Sequence, residues 1–420
     1  MCGAFFSKNI QVTKKQKIAF LCHPYHRGGV TRWMADAAIA FDRDGHEVWF
    51  ITVEPTKEFH NAKGRETLLQ LLAKEKTGIK VISALAGYEF EFGTPGYRTY
   101  VYKTLIAKLP AGVPVIVSDD KAVWEAATSL YTAYPVVGVL HADEEQYYHL
   151  AEKYHSRVAV LACVSNRINR LVTKRIPAFD PAHIFTIPCG IKLPSVVFNS
   201  NGGGILQLIY VGRVSNYQKR AGDQAKVCAS LAEKGVKFHL NVIGDGDAKG
   251  PLEQTITESG LQQYVTFYGW LSQKDVALHL SESDILLLTS DFEGTPIAMM
   301  EALATGCGMV GTRVSGIEDY EDHPLANDCL GIYTVGDIED AVNKIIKVSE
   351  IPKKIRQQSA RKIAETEFSM QVCLNRYLIA MATIHPVGTP HPKIAFPVKE
   401  RMYSSAIAFA RNLKISLKKK

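Results

Sequence analysis

The sequence predicts an α/β protein made of two Rossmann-like, doubly wound parallel-sheet domains. Three observations lead there. Short apolar runs of strand length alternate with helical segments along most of the chain, an alternation that places helices on both faces of a parallel sheet. A second strand-helix series starts afresh after Asn199-Ser-Asn-Gly-Gly-Gly204, a stretch of linker composition. Finally, 420 residues suffice for two domains of ordinary size, each with its own core.

Taken in order, residues 17–22 form the first expected strand, and residues 28–41, opening on Gly28 and Gly29, the first helix. Further strands are expected at 46–53, 113–118, 136–140 and 158–164. After the glycine-rich linker the second series places strands at 206–211, 237–243, 264–268, 284–289 and 308–312. The expected boundaries are 1–198 for the first domain, 199–383 for the second and 384–420 for a separate tail.

Hydrophobic content of 46% and charged content of 22% are those of a soluble globular protein. The N-terminal residues lack a sustained apolar stretch, so no signal peptide is expected, and no run approaches the ~18 apolar residues of a spanning helix. A cytoplasmic location follows as an expectation. Eight cysteines lie scattered without a Cys-x-x-Cys pair, which points to reduced buried thiols and to no metal framework. The net charge of +7 resides in the tail, where eight basic residues face Glu400 alone. The body is neutral, which argues against nucleic acid as a partner.

The segment richest in chemistry is Asp291-Phe-Glu293-Gly294-Thr295-Pro296-Ile297-Ala-Met-Met-Glu301-Ala-Leu-Ala-Thr-Gly306. It follows an apolar strand, and Thr295-Pro296 reads as an N-cap with proline at the first helical position. Glu293 then falls in the strand-to-helix turn and Glu301 deeper along the helix, with the free N–H groups of the helix start between them, where the dipole favours a phosphate. Acidic residues near a helix start also occur for dipole reasons alone. Ligands of open parallel sheets sit beyond the C-terminal strand ends. His23 to Gly29, His141 and the run Gly212-Arg213 to Lys219-Arg220 all occupy such positions. Taken singly, a Gly-Gly pair is also an ordinary tight turn, a lone histidine is commonly a structural hydrogen-bonding group, and Lys219 and Arg220 read as solvated charges. Gly244-Asp245-Gly246-Asp247 imitates a dinucleotide fingerprint with its third glycine one position late, and is read as a loop lining a nucleotide pocket.

Glu-Gly-x-Pro, four residues, Glu-Ala, and then Gly306 resemble the signature of retaining glycosyltransferase family 4, whose members have the two-domain GT-B fold with an interdomain cleft. The resemblance spans residues 17–383 and is densest over 208–320. It implies a nucleoside-diphosphate sugar as donor, held in the second domain, and a carbohydrate or lipid-linked glycan acceptor in the first. By the same resemblance Glu301 grips the ribose hydroxyls, Glu293 contacts the transferred sugar, Arg213 and Lys219 hold the diphosphate, Gly28 and Gly29 start a helix facing it, and His141 positions the donor sugar. Gly244, Gly294, Thr295, Pro296 and Ile297 complete the expected donor site, and no cofactor or metal is implied. Two features depart from the pattern: Gly308 replaces a usual proline, and Glu318, Asp319 and Glu321 compete for one acidic position beside Ser315-Gly316.

The expected function is retaining glycosyl transfer, with a sugar-nucleotide epimerase or a non-catalytic binding subunit of the same fold as alternatives. The tail lies beyond the resemblance. Pro386, Pro390, Pro392 and Pro397 suit an extended linker, while Ile407, Ala410, Leu413 and Leu417 recur at helical spacing among Arg411, Lys414 and Lys418 to Lys420. Residues 398–420 thus offer an anionic membrane surface an amphipathic partner, the alternatives being a solvated terminus or a helix packed on the body.

Overall fold

The computed structural model describes residues 15–23, 29–55, 68–118, 120–195, 204–385, 394–395 and 398–417. Gly28, most of the 199–204 linker, the four tail prolines and Lys418 to Lys420 lie outside the described residues.

In the first domain β1 (Lys17–Leu21), β2 (Glu47–Pro55), β3 (Lys80–Ala86), β4 (Val115–Val117), β5 (Val136–Leu140), β6 (Val160–Cys163) and β7 (Ile184–Thr186) form one sheet. Its spatial order is β3-β2-β1-β4-β5-β6-β7, with every pair parallel. Its helices are α1 (Gly29–Arg43), α2 (Leu68–Lys74), α3 (Tyr88–Phe92), α4 (Pro95–Ile106), α5 (Lys121–Thr128), α6 (Glu145–Tyr154) and α7 (Asn166–Arg175). Strands covered on both faces read as unbroken apolar runs, as in the fully buried β5. Gly138 in β5 leaves room for Trp124 of α5, since a Cβ there would lie 2.2 Å from the indole ring.

The second domain repeats the plan with β8 (Leu206–Val211), β9 (Phe238–Ile243), β10 (Val265–Gly269), β11 (Ile285–Leu288), β12 (Gly308–Thr312) and β13 (Leu330–Tyr333). The parallel order is β10-β9-β8-β11-β12-β13. Around it lie α8 (Ala221–Glu233), α9 (Lys249–Glu258), α10 (Gln273–Glu282), α11 (Ile297–Ala304), α12 (Ala326–Cys329), α13 (Ile338–Glu350) and α14 (Lys353–Ile363). In each sheet the winding direction reverses once, between β1 and β4 and between β8 and β11. The segments after those strands are the ones that face a ligand crevice.

The two domains meet along one edge of the cleft. The Asp143 amide donates to the Glu293 carbonyl at 3.0 Å, the Ser165 and Ser315 hydroxyls lie 2.6 Å apart, and Asp319 accepts from the Asn166 amide at 2.7 Å. Glu318 is gripped by Arg167 and Arg170, and Glu321 pairs with Arg313. The three acidic residues that competed in the sequence thus serve the interdomain edge or the surface, away from the cavity wall. Ile191 pairs with the segment around Ser369 as an isolated parallel bridge, and α15 (Met370–Ala382) then returns to the first domain, where Tyr377 packs on Trp33 of α1 at 5.9 Å between ring centroids. Met299, Leu303 and Phe368 consequently share one apolar core with Ile18 and Trp33.

The tail forms α16 (Val398–Leu417), which packs against α3 and α4. Of the expected apolar stripe, Ile407 and Ala410 face outward, the side chains of Leu413 and Leu417 lie outside the described residues, and the helix docks through Ser404 and Ala408. The reason is close approach. Gly93 and Gly96 carry the contact, and a Cβ on either would clash with Ser404 or Glu400. Thr94 bonds Glu400 at 2.5 Å through its hydroxyl and Ser404 at 2.9 Å through its amide. Small and polar residues make the joint, which leaves Val398, Met402 and Phe409 exposed on one helix face.

Candidate functional site

A cleft of about 1780 Å³ opens between the domains, walled by segments that follow β1, β5, β8, β10 and β11. On the second-domain side, the turn after β11 delivers Glu293 and then α11. The sequence expectation for the cap is corrected: Pro296 occupies the N-cap position, Ile297 is the first helical residue, and the Thr295 hydroxyl crosses the domain edge to the Val164 carbonyl at 2.5 Å. Gly294 is required at this crossing, because a Cβ would lie 1.8 Å from the His141 carbonyl. Gly316, with φ of +75°, packs equally tightly on the Gly294 carbonyl.

Glu293 is 5% exposed. One carboxylate oxygen accepts from Lys219 Nζ at 2.5 Å and from Ser290 Oγ at 2.6 Å. Lys219 is itself positioned by its carbonyl, which accepts from Thr289 Oγ1 at 2.6 Å, and the neighbouring Gln218 carbonyl accepts from the Asp291 amide at 2.8 Å. The loops after β8 and β11 are therefore stitched together beneath the pair. Arg213 is exposed on the cleft wall beside Gly212, whose φ of +154° favours glycine. Arg220 points elsewhere, pairing with Asp223 at 2.6 Å and Asp291 at 3.2 Å. Gly244 does not line the cavity either; it backs Gly212, whose carbonyl lies where a Cβ would stand.

Two helix starts converge here. Gly29, at the head of α1, faces Ile297 at the head of α11, with Ile297 Cγ1 only 3.3 Å from the point a glycine Cβ would occupy. The first amides of a helix have no intrahelical partner and carry partial positive charge. Two such ends, together with Arg213 and Lys219, make this corner of the cleft suited to a polyanion.

Glu301 lies on the cleft wall further along α11. Burial pushes its carboxyl up to about 7, with Asp36 adding to the rise and Arg32 opposing it. Arg32 and Asp36 form an ion pair on α1, 2.9 Å at its shortest, directly across from Glu301. His141 is 6% exposed, its Nδ1 lies 3.5 Å from Cys189 Sγ, and its ring meets Trp33 edge-on at 5.0 Å. The structure thus gathers Gly29, His141, Arg213, Lys219, Gly294, Thr295, Pro296, Ile297, Glu293 and Glu301 around one cavity. Sequence reasoning missed Arg32, Asp36 and Ser290. The first two sit four residues apart on one helix face, a pattern common to any solvated helix; Ser290 adjoins a motif that does not include it.

Among the described residues no group of histidine, cysteine and acidic side chains has metal-binding geometry. Seven cysteines are described, all free and buried. No described helix is long and apolar enough to cross a membrane.

The family model of glycosyl transferases group 1 matches residues 200–364, and that of Glycosyltransferase Family 4 matches residues 27–193. Among curated proteins, the amylovoran biosynthesis glycosyltransferase AmsK of Erwinia amylovora is 29% identical over 178 residues, covering 40% of this chain and 42% of that protein. A lipopolysaccharide 1,6-galactosyltransferase of Salmonella typhimurium is 33% identical over 144 residues, covering 33% of this chain and 38% of that one. These matches span less than half the length of either relative. Among solved structures, Anabaena Alr3699/HepE in complex with UDP and glucose superposes with a TM-score of 0.67 at 16% identity, over 88% of this chain and 100% of that one. The lipopolysaccharide outer core galactosyltransferase WaaB, in its apo form, gives 0.63 at 18% identity, over 88% and 99%. At such identities the likeness is one of fold, and that fold is GT-B.

Proposed function

The chain belongs to glycosyltransferase family 4, and on that premise we propose that it transfers a sugar, with retained anomeric configuration, from a nucleoside-diphosphate sugar to a hydroxyl acceptor. The observation that carries this reading is the convergence of the α1 and α11 N-termini beside Lys219, Arg213 and the buried Glu293. The diphosphate rests against the helix starts, with the guanidinium of Arg213 and the ammonium of Lys219 neutralising charge that grows as the glycosidic bond breaks. Glu301 accepts from the ribose hydroxyls. Glu293 turns toward the hydroxyls of the transferred sugar while Lys219 bridges it to the phosphate, and His141 supports that sugar from the first domain.

The commitment of Glu293 to Lys219 and Ser290 favours front-side substitution over a covalent glycosyl intermediate. In that step the acceptor oxygen bonds the anomeric carbon on the face the phosphate leaves, and the departing phosphate oxygen takes the acceptor proton. The names of the relatives, amylovoran and lipopolysaccharide enzymes, support a place in cell-surface polysaccharide or glycolipid synthesis. UDP, which the Anabaena neighbour binds, is the nucleotide taken first as probe, and thermal-shift screening against it, other nucleoside diphosphates and their sugars tests the donor, since a ligand of the folded state raises the melting temperature. Nucleoside diphosphate released only when acceptor is present excludes both the epimerase and the binding-subunit alternatives.

Because protein groups supply the positive charge at the diphosphate, transfer is expected to survive excess EDTA. The early product is expected to keep the donor's anomeric configuration by NMR. Loss of activity in the chelator, restored by a divalent ion, contradicts the first expectation; an inverted product contradicts the second.

The tail supports a further part of the proposal, that α16 rests on an anionic bilayer. Val398, Met402 and Phe409 are 59%, 67% and 72% exposed on a common face, beside the exposed cations Lys399 and Arg401. Each basic residue at such a surface contributes about 1 kcal/mol. Because α16 also braces α3 and α4, the informative change is on its outer face and not a truncation. The unaltered chain is expected to sediment with phosphatidylglycerol vesicles at low salt and to be released at high salt. The Val398→Ser, Met402→Ser, Phe409→Ser triple variant stays in the supernatant. Equal sedimentation of the two chains, or none of either, overturns this part.

A further inference from the structure

In and behind the first-domain wall of the cleft lies a group of polar atoms that the donor reading does not use. Glu91 is the penultimate residue of α3, and Arg98, Thr99 and Tyr102 lie on the first two turns of α4. Thr99 is 3% exposed and Tyr102 is fully buried. Glu91 Oε1, Arg98 Nε, Thr99 Oγ1 and the Tyr102 hydroxyl are all buried without a hydrogen-bond partner. Native proteins leave very few buried polar atoms unpaired, and each costs the desolvation of its group. Of these residues Glu91 and Arg98 line the cleft, where a ligand completes their bonding, whereas Thr99 and Tyr102 do not reach it.

Their surroundings show which ligand. Glu91 and Arg98 line the same cleft as the donor residues, as do His23 and Asp120. His23 follows β1 and Asp120 follows β4, the adjacent strands of the first-domain switch point, and the two side chains approach to 3.8 Å. The Tyr102 phenol, which burial pushes upward, lies within electrostatic reach of Asp120, Arg98 and Glu91. Burial also raises the Glu91 carboxyl, to about 7, with Arg98 opposing. The wall therefore alternates acceptors and donors with nearly balanced charge. Such a surface suits the hydroxyl groups of a neutral sugar ring, whereas a phosphate requires an excess of cations. Phe90 lines the cleft here too and meets the Tyr102 ring edge-on at 5.6 Å, giving an apolar side against which a pyranose face packs.

We propose that Glu91 and Arg98 form the subsite for a neutral acceptor sugar, with both side chains bonding ring hydroxyls. This rests on the transferase reading, and it names residues outside every motif that supports that reading. The α3-α4 hairpin is held in place by α16 through Thr94, Glu400 and Ser404. The subsite thus stands beside the helix that faces the bilayer, where the sugar of a lipid-linked acceptor is presented.

Saturation-transfer NMR on the full chain, with the octyl β-glycosides of glucose, galactose, mannose and N-acetylglucosamine as probes below their micellar concentrations and UDP in excess, tests the subsite. The unaltered chain is expected to transfer saturation to the ring protons of at least one probe. Glu91→Gln and Arg98→Met are expected to weaken that probe about tenfold or more, with UDP affinity unchanged. A chain that binds UDP but no probe, or variants that bind the probe as the parent does, overturns the subsite alone. A chain that binds no nucleoside diphosphate and no probe overturns the transferase reading along with it.

Discussion

Glu293→Ala is expected to lower turnover by about two to three orders of magnitude while leaving UDP affinity within a few-fold of the unaltered chain. The reasoning starts from burial. Glu293 is almost wholly enclosed, and one of its oxygens accepts from both Lys219 and Ser290. Removing it strands the Lys219 ammonium, whose side chain is only 17% exposed, at a cost of about 1 to 3 kcal/mol to the free fold. Melting temperature is therefore measured alongside activity, and turnover is referred to folded protein. Glu293→Gln separates the two effects. It preserves the shape and a hydrogen-bond acceptor for Ser290, so most stability returns, but the negative charge that holds Lys219 is gone. If the glutamine variant regains full turnover, the carboxylate acts only as a brace for the turn and its assignment to the sugar fails. If UDP affinity collapses along with turnover, the pair serves diphosphate binding and not the transferred sugar.

How far this site could be read beforehand depended on distance along the chain. Glu293, Gly294, Pro296 and Glu301 fall in one continuous strand-turn-helix segment, so their grouping is local and survives without coordinates. The bond from Lys219 to Glu293 spans 74 residues and comes from two loops drawn together at the β8-β11 reversal, which only the sheet order reveals. The same logic separates the strands. Central β5, β8 and β12 keep their expected limits because mostly apolar runs mark them, unbroken and fully buried in β5. Edge strands β3 and β7 and the short β13 were not expected: β3 is largely solvent-facing with a mixed pattern, and β7 and β13 have only three and four residues. At α16 apolar periodicity does not mark the docked face, which is chosen by smallness opposite Gly93 and Gly96 and not by hydrophobicity.

The second large effect concerns Glu301 and carries a pH signature. Glu301→Ala is expected to weaken UDP binding about ten- to a hundredfold, the loss of charge-assisted bonds worth roughly 1.5 to 3 kcal/mol. In the free chain the carboxyl ionises only near pH 7, because burial and the facing Asp36 disfavour the anion more than Arg32 favours it. With ribose hydroxyls donating to the anion, as proposed, binding draws the group toward its ionised form and releases a proton. UDP affinity should therefore rise with pH, by about tenfold from pH 6 to pH 8, and level off above. Glu301→Gln should bind more weakly and lose the Glu301-dependent part of this slope. The stability of the nucleotide-free chain runs the opposite way: a carboxyl raised by folding contributes most below its ordinary value of 4.5, and that contribution is lost as pH rises through about 7. Saturating UDP reverses this part of the trend, because the bound ribose favours the anion that the empty cleft resists. Calorimetric titration in two buffers of different ionisation enthalpy measures the released proton directly. A binding enthalpy independent of buffer at pH 6.5, or an unaltered slope in the glutamine variant, removes Glu301 from the ribose.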